Sequence, residues 1–283
     1  MRQLVAKRAM RRSEGVLVAE GADVISAALA AGAPVESVYW APGAVSVPAL
    51  AEVIEVILDA GGRAYPLAPG VMERVADTVT PQPVLAVVGY RPAALDAVAG
   101  ASLVLVLDEV RDPGNAGTLI RAADAAGADA VVCTSGTVDP TNPKAVRASA
   151  GSIFHLPVVE SVPSEDLVHR LEGRGLDTVV TVARGGDDYA AFDWSRPVAV
   201  AVGNEAHGVT GVVAARAAHR VSIPMPGTAE SLNVAMAAGI VLFEAVRQRR
   251  QAGGIGSAPA AAGPRGPALT PDPDLPSALP ATP

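Results

Sequence analysis

Three short polar clusters lie in order through the second half of this chain, each at the end of an apolar run. The first is Asp112-Pro113-Gly114-Asn115-Ala116-Gly117 with Arg121 behind it, and the second is Gly203-Asn204-Glu205-Ala206-His207-Gly208. The third runs from Ile223-Pro224-Met225 through Gly227 to Ser231-Leu232-Asn233. Loops at the carboxyl ends of neighbouring parallel strands are where open α/β sheets hold their ligands, so the trio reads as one binding site. Arg121 stands among Leu119, Ile120, Ala122 and Ala123, and a guanidinium in such surroundings needs a carboxylate or a phosphate. Glu205 is the candidate carboxylate. Gly203 lets a ligand approach the backbone closely, and Gly208 supports a tight return. Asn115 and Ser231 both have the chemistry of a helix N-cap, whereas Asn233, two residues later, is poor helix filler and points to binding.

Periodicity supplies the elements that must carry these clusters. Leu103-Val104-Leu105-Val106-Leu107 is a continuous apolar run, the pattern of a parallel strand buried on both faces. Further strands are expected at 130–134, 178–183, 198–202 and 220–223, with helices at 118–126, 144–150, 164–174 and 231–250. This alternation predicts an α/β fold, a mostly parallel sheet with helices on both faces. Ahead of it a smaller α/β unit alternates strands at 16–19, 35–40, 63–66 and 84–88 with helices at 22–31, 47–60 and 71–76. Residues 91–101, with Pro92 and Gly100, read as a connector. From Ala252 the composition turns to Pro, Ala and Gly, too poor in large apolar side chains to offset ordering entropy. The expected division is therefore 1–92, a linker at 93–101, a second domain at 102–251 and a disordered tail at 252–283.

Half of the 283 residues are apolar, which is ample material for two cores. A net charge of −7 argues against a nucleic-acid partner until the placement of charge is considered. Arg2, Lys7, Arg8, Arg11 and Arg12 form a basic arm with no acid before Glu14, and Arg247, Arg249 and Arg250 close the last helix. Local patches of this kind can hold RNA on an acidic protein; the second also fits a solvated helix C-terminus, where positive charge is favourable. No uncharged apolar stretch reaches the roughly 18 residues that cross a bilayer, so a cytoplasmic protein is expected. A single cysteine, Cys133, in an apolar run, reads as a small buried hydrophobe. His155, His169 and His219 lack metal-ligand spacing, and no metal is expected. His207 sits in the second cluster, but a loop imidazole is more often a surface or packing group.

The stretches DEVRDPGNAGTLIRAADAAGADAVV, VGNEAHGV and IPMPGTAESLNVAMAAGIVLFEA resemble the three motifs of the SpoU-type, TrmH-like RNA ribose 2′-O-methyltransferases of the SPOUT superfamily. The resemblance covers Leu103 to Arg250. The basic arm followed by Gly15-Val16-Leu17-Val18-Ala19-Glu20-Gly21, and later Thr80-Pro81-Gln82-Pro83 leading into Val84 to Val88, are similar to that family's N-terminal RNA substrate-binding domain. The resemblance implies a catalytic domain threaded into a deep trefoil knot, which general topology rules would not suggest. It implies S-adenosylmethionine as methyl donor, held near Thr181, Ala183, Gly203, Asn204, Ile223, Met225 and Leu232. It implies catalytic polar positions at Asn115, Arg121, Glu205, Ser231 and Asn233, all present here. It further implies a homodimer whose active site draws on both protomers.

The implied reaction is an in-line displacement in which a ribose 2′ oxygen attacks a sulfonium methyl. The protein's task is then to orient the ribose, exclude water and assist loss of the hydroxyl proton. A guanidinium with a pKa above about 12 makes a poor base, so Arg121 reads as a clamp on RNA phosphate and on the developing alkoxide, with a phosphate oxygen or water taking the proton. RNA is the expected partner. Ribosomal RNA, of the large subunit, is favoured over transfer RNA because a separate N-terminal domain adds a second recognition surface. A dinucleotide-dependent oxidoreductase would need G-x-G-x-x-G after its first strand, and Pro113-Gly114-Asn115-Ala116-Gly117 lacks that spacing. A non-catalytic RNA-binding protein would not need the intact polar set.

Overall fold

The computed structural model describes residues 1–76 and 80–253. The tail expected from Ala252 lies, from residue 254 onward, outside the described residues.

The first half opens with two short helices, α1 (Arg2–Ala6) and α2 (Arg8–Glu14). They lead into β1 (Val16–Glu20), α3 (Ala22–Ala30), β2 (Val35–Trp40), α4 (Pro48–Asp59), β3 (Arg63–Pro66), α5 (Val71–Val75) and β4 (Val84–Gly89). The four strands form one sheet in the order β1-β4-β2-β3. Here β4 runs antiparallel to both neighbours, and β2 pairs parallel with β3. Every residue of β1 is buried, because α3 covers one face while Met1, Leu4 and Val5 of the arm cover Val18 and Leu85 on the other.

The second half comprises β5 (Leu103–Asp108), α6 (Pro113–Ala125), β6 (Ala130–Thr134), α7 (Pro143–Ser149), β7 (Val158–Val162), α8 (Ser164–Glu172) and β8 (Asp177–Thr181). It continues with β9 (Asp187–Asp188), β10 (Val198–Gly203), α9 (Gly211–Arg216), β11 (His219–Ser222) and α10 (Val234–Gln251). Its seven strands stand in the order β7-β6-β5-β10-β8-β11-β9, and every pairing is parallel. Three adjacent strands inside the sheet, β6, β5 and β10, are wholly buried, which is why they read as unbroken apolar runs. The edge strands do not. In β7, Glu160 and Ser161 interrupt the valines, and Ser161 adopts a positive φ of 57°; β9 is two exposed aspartates. These two strands escape a periodicity reading for that reason, and α9, six residues long, is too short to show a helical period.

Three expectations change. The connector at 93–101 is packed: Ala93 pairs with Val159 at the sheet edge, residues 95–98 make a helical turn, and Val98 is fully buried. The basic arm is partly consumed within the fold. Arg11 is buried against Asp139, Thr141 and the carbonyls of Leu4 and Val5, and Arg8 reaches Glu160 at 3.3 Å. The C-terminal basic cluster is likewise committed. Arg249 is buried and donates to the carbonyls of Trp194, Ser102 and Arg196, while Arg247 pairs with Glu244.

The two sheets share one continuous apolar core, which takes in Leu17, Ile25 and Ala28 of the first half and Ile153 and Phe154 of the second. A Cβ added at Gly151, where φ is 93°, would lie 2.4 Å from the Cβ of Ala27.

Candidate active site

In the sheet order, β5 and β10 are neighbours although most of the second half separates them in sequence, and Gly203 is the register partner of Asp108. The first and second polar clusters therefore leave the sheet side by side. Next to β10 stand β8 and β11, whose ends release Thr181-Val182-Ala183 and Ile223-Pro224-Met225. Three-dimensional adjacency of the clusters thus follows from strand order alone.

Helix α6 begins at Pro113, five residues before the sequence suggested. Its N-cap is Asp112, whose Oδ1 accepts the Asn115 amide at 2.8 Å; Asn115 is therefore not the cap, and its side chain is free for other work. Proline at the first helical position fixes φ where no donor is needed. The Asp112 carboxyl, held below its ordinary range first by the Asn115 amide and also by Lys144, bonds Lys144 Nζ at 3.2 Å.

The loop of the second cluster is a tight hairpin in which Asn204 and Gly208 exchange both backbone hydrogen bonds at 2.8 Å. A Cβ at Gly203 would lie 2.0 Å from the Gly208 carbonyl carbon, so only glycine fits. The Asn204 side chain is spent inside the protein: Nδ2 donates to the Glu109 carbonyl at 3.1 Å and Oδ1 accepts from the Ala206 amide at 2.9 Å. Beyond the loop, the Thr210 amide donates at 2.6 Å to Asp108, a fully buried carboxylate that also accepts from Ser164 Oγ at 3.1 Å. Asp108 was missed in the sequence, although a carboxylate ending a continuous apolar run was a signal that it holds something.

In the third cluster the N-cap of α10 is Asn233, not Ser231. Its Oδ1 accepts from the amides of Ala235 and Met236 at 2.9 and 3.2 Å. The cap decides which way the amide faces. With its oxygen on the helix, Asn233 turns Nδ2 to Asn115 Oδ1 at 3.0 Å, and Asn115 in turn donates Nδ2 to Glu205 Oε1 at 2.7 Å. A helix terminus thus fixes the polarity of a chain, Asn233 to Asn115 to Glu205, that joins all three clusters. Each amide keeps a second N–H, and Glu205 keeps further acceptor capacity.

Arg121 does not join that chain, and Glu205 is not its partner. Six residues along α6 from Asn115, it points about 120° away around the helix axis. It is exposed, and no ion pair holds it among the described residues. Ser231 is exposed as well, in a segment, 223–232, that makes no backbone hydrogen bond among the described residues. His207 lies exposed at the tip of the hairpin.

The SpoU rRNA methylase family matches residues 102–243, and an MRM3-like substrate binding domain matches residues 1–86. The chain belongs to the SpoU rRNA methylase family. Over 187 residues it is 41% identical to a 23S rRNA (guanosine(2553)-2′-O)-methyltransferase of Bacillus subtilis, which covers 66% of this chain and 73% of that protein. It is 33% identical to an uncharacterised tRNA/rRNA methyltransferase of Synechocystis, over 84% of this chain and 86% of the relative. Among solved structures, the SpoU methyltransferase AviRb of Streptomyces viridochromogenes superposes with a TM-score of 0.78 at 31% identity, covering 89% of this chain and 96% of that one. An AdoMet-bound rRNA methyltransferase of Sinorhizobium meliloti gives 0.75 at 32% identity, covering 88% and 92%. As SpoU methylases are α/β proteins with a parallel sheet, the all-parallel arrangement of the second half agrees with this membership.

Proposed function

We propose that this protein is an S-adenosylmethionine-dependent methyltransferase acting on a ribose 2′-hydroxyl of large-subunit ribosomal RNA. The observation that carries the reading is the oriented chain Asn233–Asn115–Glu205 at the carboxyl edge of the parallel sheet, in a member of the SpoU family. Residues 1–92 would present the RNA and residues 102–251 would carry out the transfer, with the packed connector 93–101 between them.

The loops after β8, β10 and β11 suit the methyl donor. The backbone amides and carbonyls of 223–232 are without backbone partners among the described residues, and Ile223, Met225 and Leu232 are only half-buried there. Such a lining pairs apolar surface with hydrogen-bonding edges, as an adenine requires. Thr181, Ala183, Gly203 and Asn204 would complete it, Asn204 by shaping its loop. When bound, S-adenosylmethionine supplies an electrophilic methyl group on sulfur. The chain's own residues do the rest: Glu205 accepts from a ribose hydroxyl, the spare N–H groups of Asn115 and Asn233 donate to the ribose, and Ser231 borders them. Holding the 2′ oxygen in line accounts for several kcal/mol of barrier.

A homodimer completes the site. Met236 and Phe243 are 58% and 50% exposed, and with Ile240 they form an i, i+4, i+7 apolar stripe on α10, the pattern of a helix face made for a partner. Since Arg121 faces away from Asn115 within one chain, a second copy packed on α10 would supply its Arg121 to clamp phosphate and stabilise the developing alkoxide. Knotting of the segment after β11 through the hairpin region, and residence in the cytoplasm with its ribosomes, go with the same reading.

The test is transfer of labelled methyl from S-adenosylmethionine to ribosomal RNA and, separately, to transfer RNA, both from cells lacking this gene. Label on a ribose 2′ oxygen of large-subunit RNA is expected. Label only in transfer RNA would change the substrate, and no label in either, with the cofactor bound, would overturn the enzyme reading.

A further inference from the structure

Helix α7 touches both halves of the molecule. On one side Arg147 donates Nη1 at 2.6 Å to Glu20 Oε2, at the end of β1, where Glu20 is only 3% exposed and its other oxygen accepts the Gln82 amide at 2.9 Å. On the opposite side the helix lies directly on α6. A Cβ added at Gly117 would sit 2.2 Å from the Ala145 carbonyl oxygen and 2.6 Å from the Ala148 Cβ, so the backbone of α6 packs directly on the Ala145 carbonyl and the Ala148 methyl. Lys144, also on α7, bonds Asp112, the cap of α6. Helix α6 carries both Asn115 and Arg121.

We infer that Arg147 is a positioning residue for methyl transfer, registering the N-terminal domain against the helix that bears Asn115 and Arg121. Three contacts in series, Glu20 to Arg147, Ala145 to Gly117 and Lys144 to Asp112, fix where RNA held by residues 1–92 meets the reacting groups. A close-packed interior transmits displacement rather than absorbing it. The Glu20 carboxylate is 3% exposed, and Arg147 reaches it from the other half of the molecule, so loss of Arg147 removes a charge-assisted bond between the two halves. The consequence is a shift of the presented nucleotide, not loss of cofactor binding. This role rests on the RNA methyltransferase reading above.

The experiment compares the full-length native protein with Arg147→Met, Arg147→Lys and Glu20→Gln/Arg147→Met, measuring kcat and KM on intact large-subunit RNA, S-adenosylmethionine affinity by calorimetry, and thermal melting. Arg147→Met is expected to lower kcat/KM for RNA by about tenfold or more, since misplacement by an ångström costs up to a hundredfold. Cofactor affinity should stay within twofold of native. Arg147→Lys should recover most of the loss, and the double variant, which also removes the Glu20 charge, should recover melting temperature without recovering kcat/KM. Unchanged kcat/KM in Arg147→Met, or activity that returns in step with melting temperature in the double variant, would overturn the positioning role. Absence of RNA methylation by the native protein would instead overturn the underlying function.

Discussion

Arg11 and Arg121 carry the same side chain into opposite situations. Arg11 is 3% exposed and meets Asp139, Thr141 and two carbonyls, whereas Arg121 lies on the outside of α6 with no ion pair among the described residues. A guanidinium satisfied inside the protein holds structure, and one left aimed at solvent is available for a ligand. Arg249 belongs with Arg11. It spends its donors on Trp194, Ser102 and Arg196, and so ties the end of α10 to the start of β5. Net charge and clustering do not separate these classes; burial and partners do.

The comparison breaks if the two arginines fail in the same way. Arg11→Met should have the larger effect, a loss of about 3 kcal/mol in unfolding free energy, because Asp139 then keeps only the longer contact to Arg8, at 3.9 Å, as its ion pair. Denaturant melts read it directly, and replacing Asp139 by leucine in the same chain should return much of that loss. Arg121→Ala should leave unfolding free energy within about 0.5 kcal/mol yet lower the methylation rate by about a hundredfold, the scale of one lost transition-state donor. Mixed dimers sharpen the point. Arg121→Ala and Asn115→Ala should each be strongly impaired alone, but a mixture of the two should regain part of the native rate if each site takes its arginine from the other protomer. No recovery on mixing would place Arg121 in its own chain's site.

A finer division is expected at Asn233, which both caps α10 and orients Asn115. Asn233→Ala should cost about 1 kcal/mol as a lost cap together with roughly tenfold in rate from a misaligned amide. Asn233→Asp separates the two roles, since aspartate caps as well as asparagine but has no N–H for Asn115 Oδ1. Full stability with reduced rate is the expected result. Equal losses in both variants would mean that the cap, not the amide chain, is what the site needs.

Much of this was legible in the residues themselves. Leu103 to Leu107 and Val198 to Val202 announced central parallel strands because burial on both faces leaves no polar position, and the motif loops followed from where those runs end. The partners within the site were not legible. Asn115 looked like a cap because helix starts are read from residue preference, but Asp112, three residues earlier, had an equal claim, and Pro113 behind it decided in its favour. Glu205 looked like a partner for Arg121 because opposite charges attract; helical phase around α6 put the asparagine there instead. The basic arm misled for a similar reason. Arg8 and Arg11 find their acids, Glu160 and Asp139, more than a hundred residues away, and no local pattern reports such pairs.

The smallest predicted effect lies at the edge of that arm. Glu160 Oε2 meets Arg8 at 3.3 Å, and Oε1 is buried without a partner among the described residues. Burial, and next the neighbouring Asp139 carboxylate, raise its pKa above the ordinary 4.5, against the opposing pull of Arg8. The folded state therefore holds the Glu160 proton to higher pH than the unfolded chain does. Its contribution to stability is fully present below about 4.5 and is lost as pH rises through the folded value. Glu160→Gln keeps the shape, removes the charge and should flatten stability against pH between that value and neutrality, leaving the variant at least as stable as the native protein at pH 7. Urea melts across that range decide it. If the glutamine variant were the weaker at neutral pH, the ion pair with Arg8 would outweigh the cost of burying the carboxylate, and the arm would be held by surface charge as well as by Arg11.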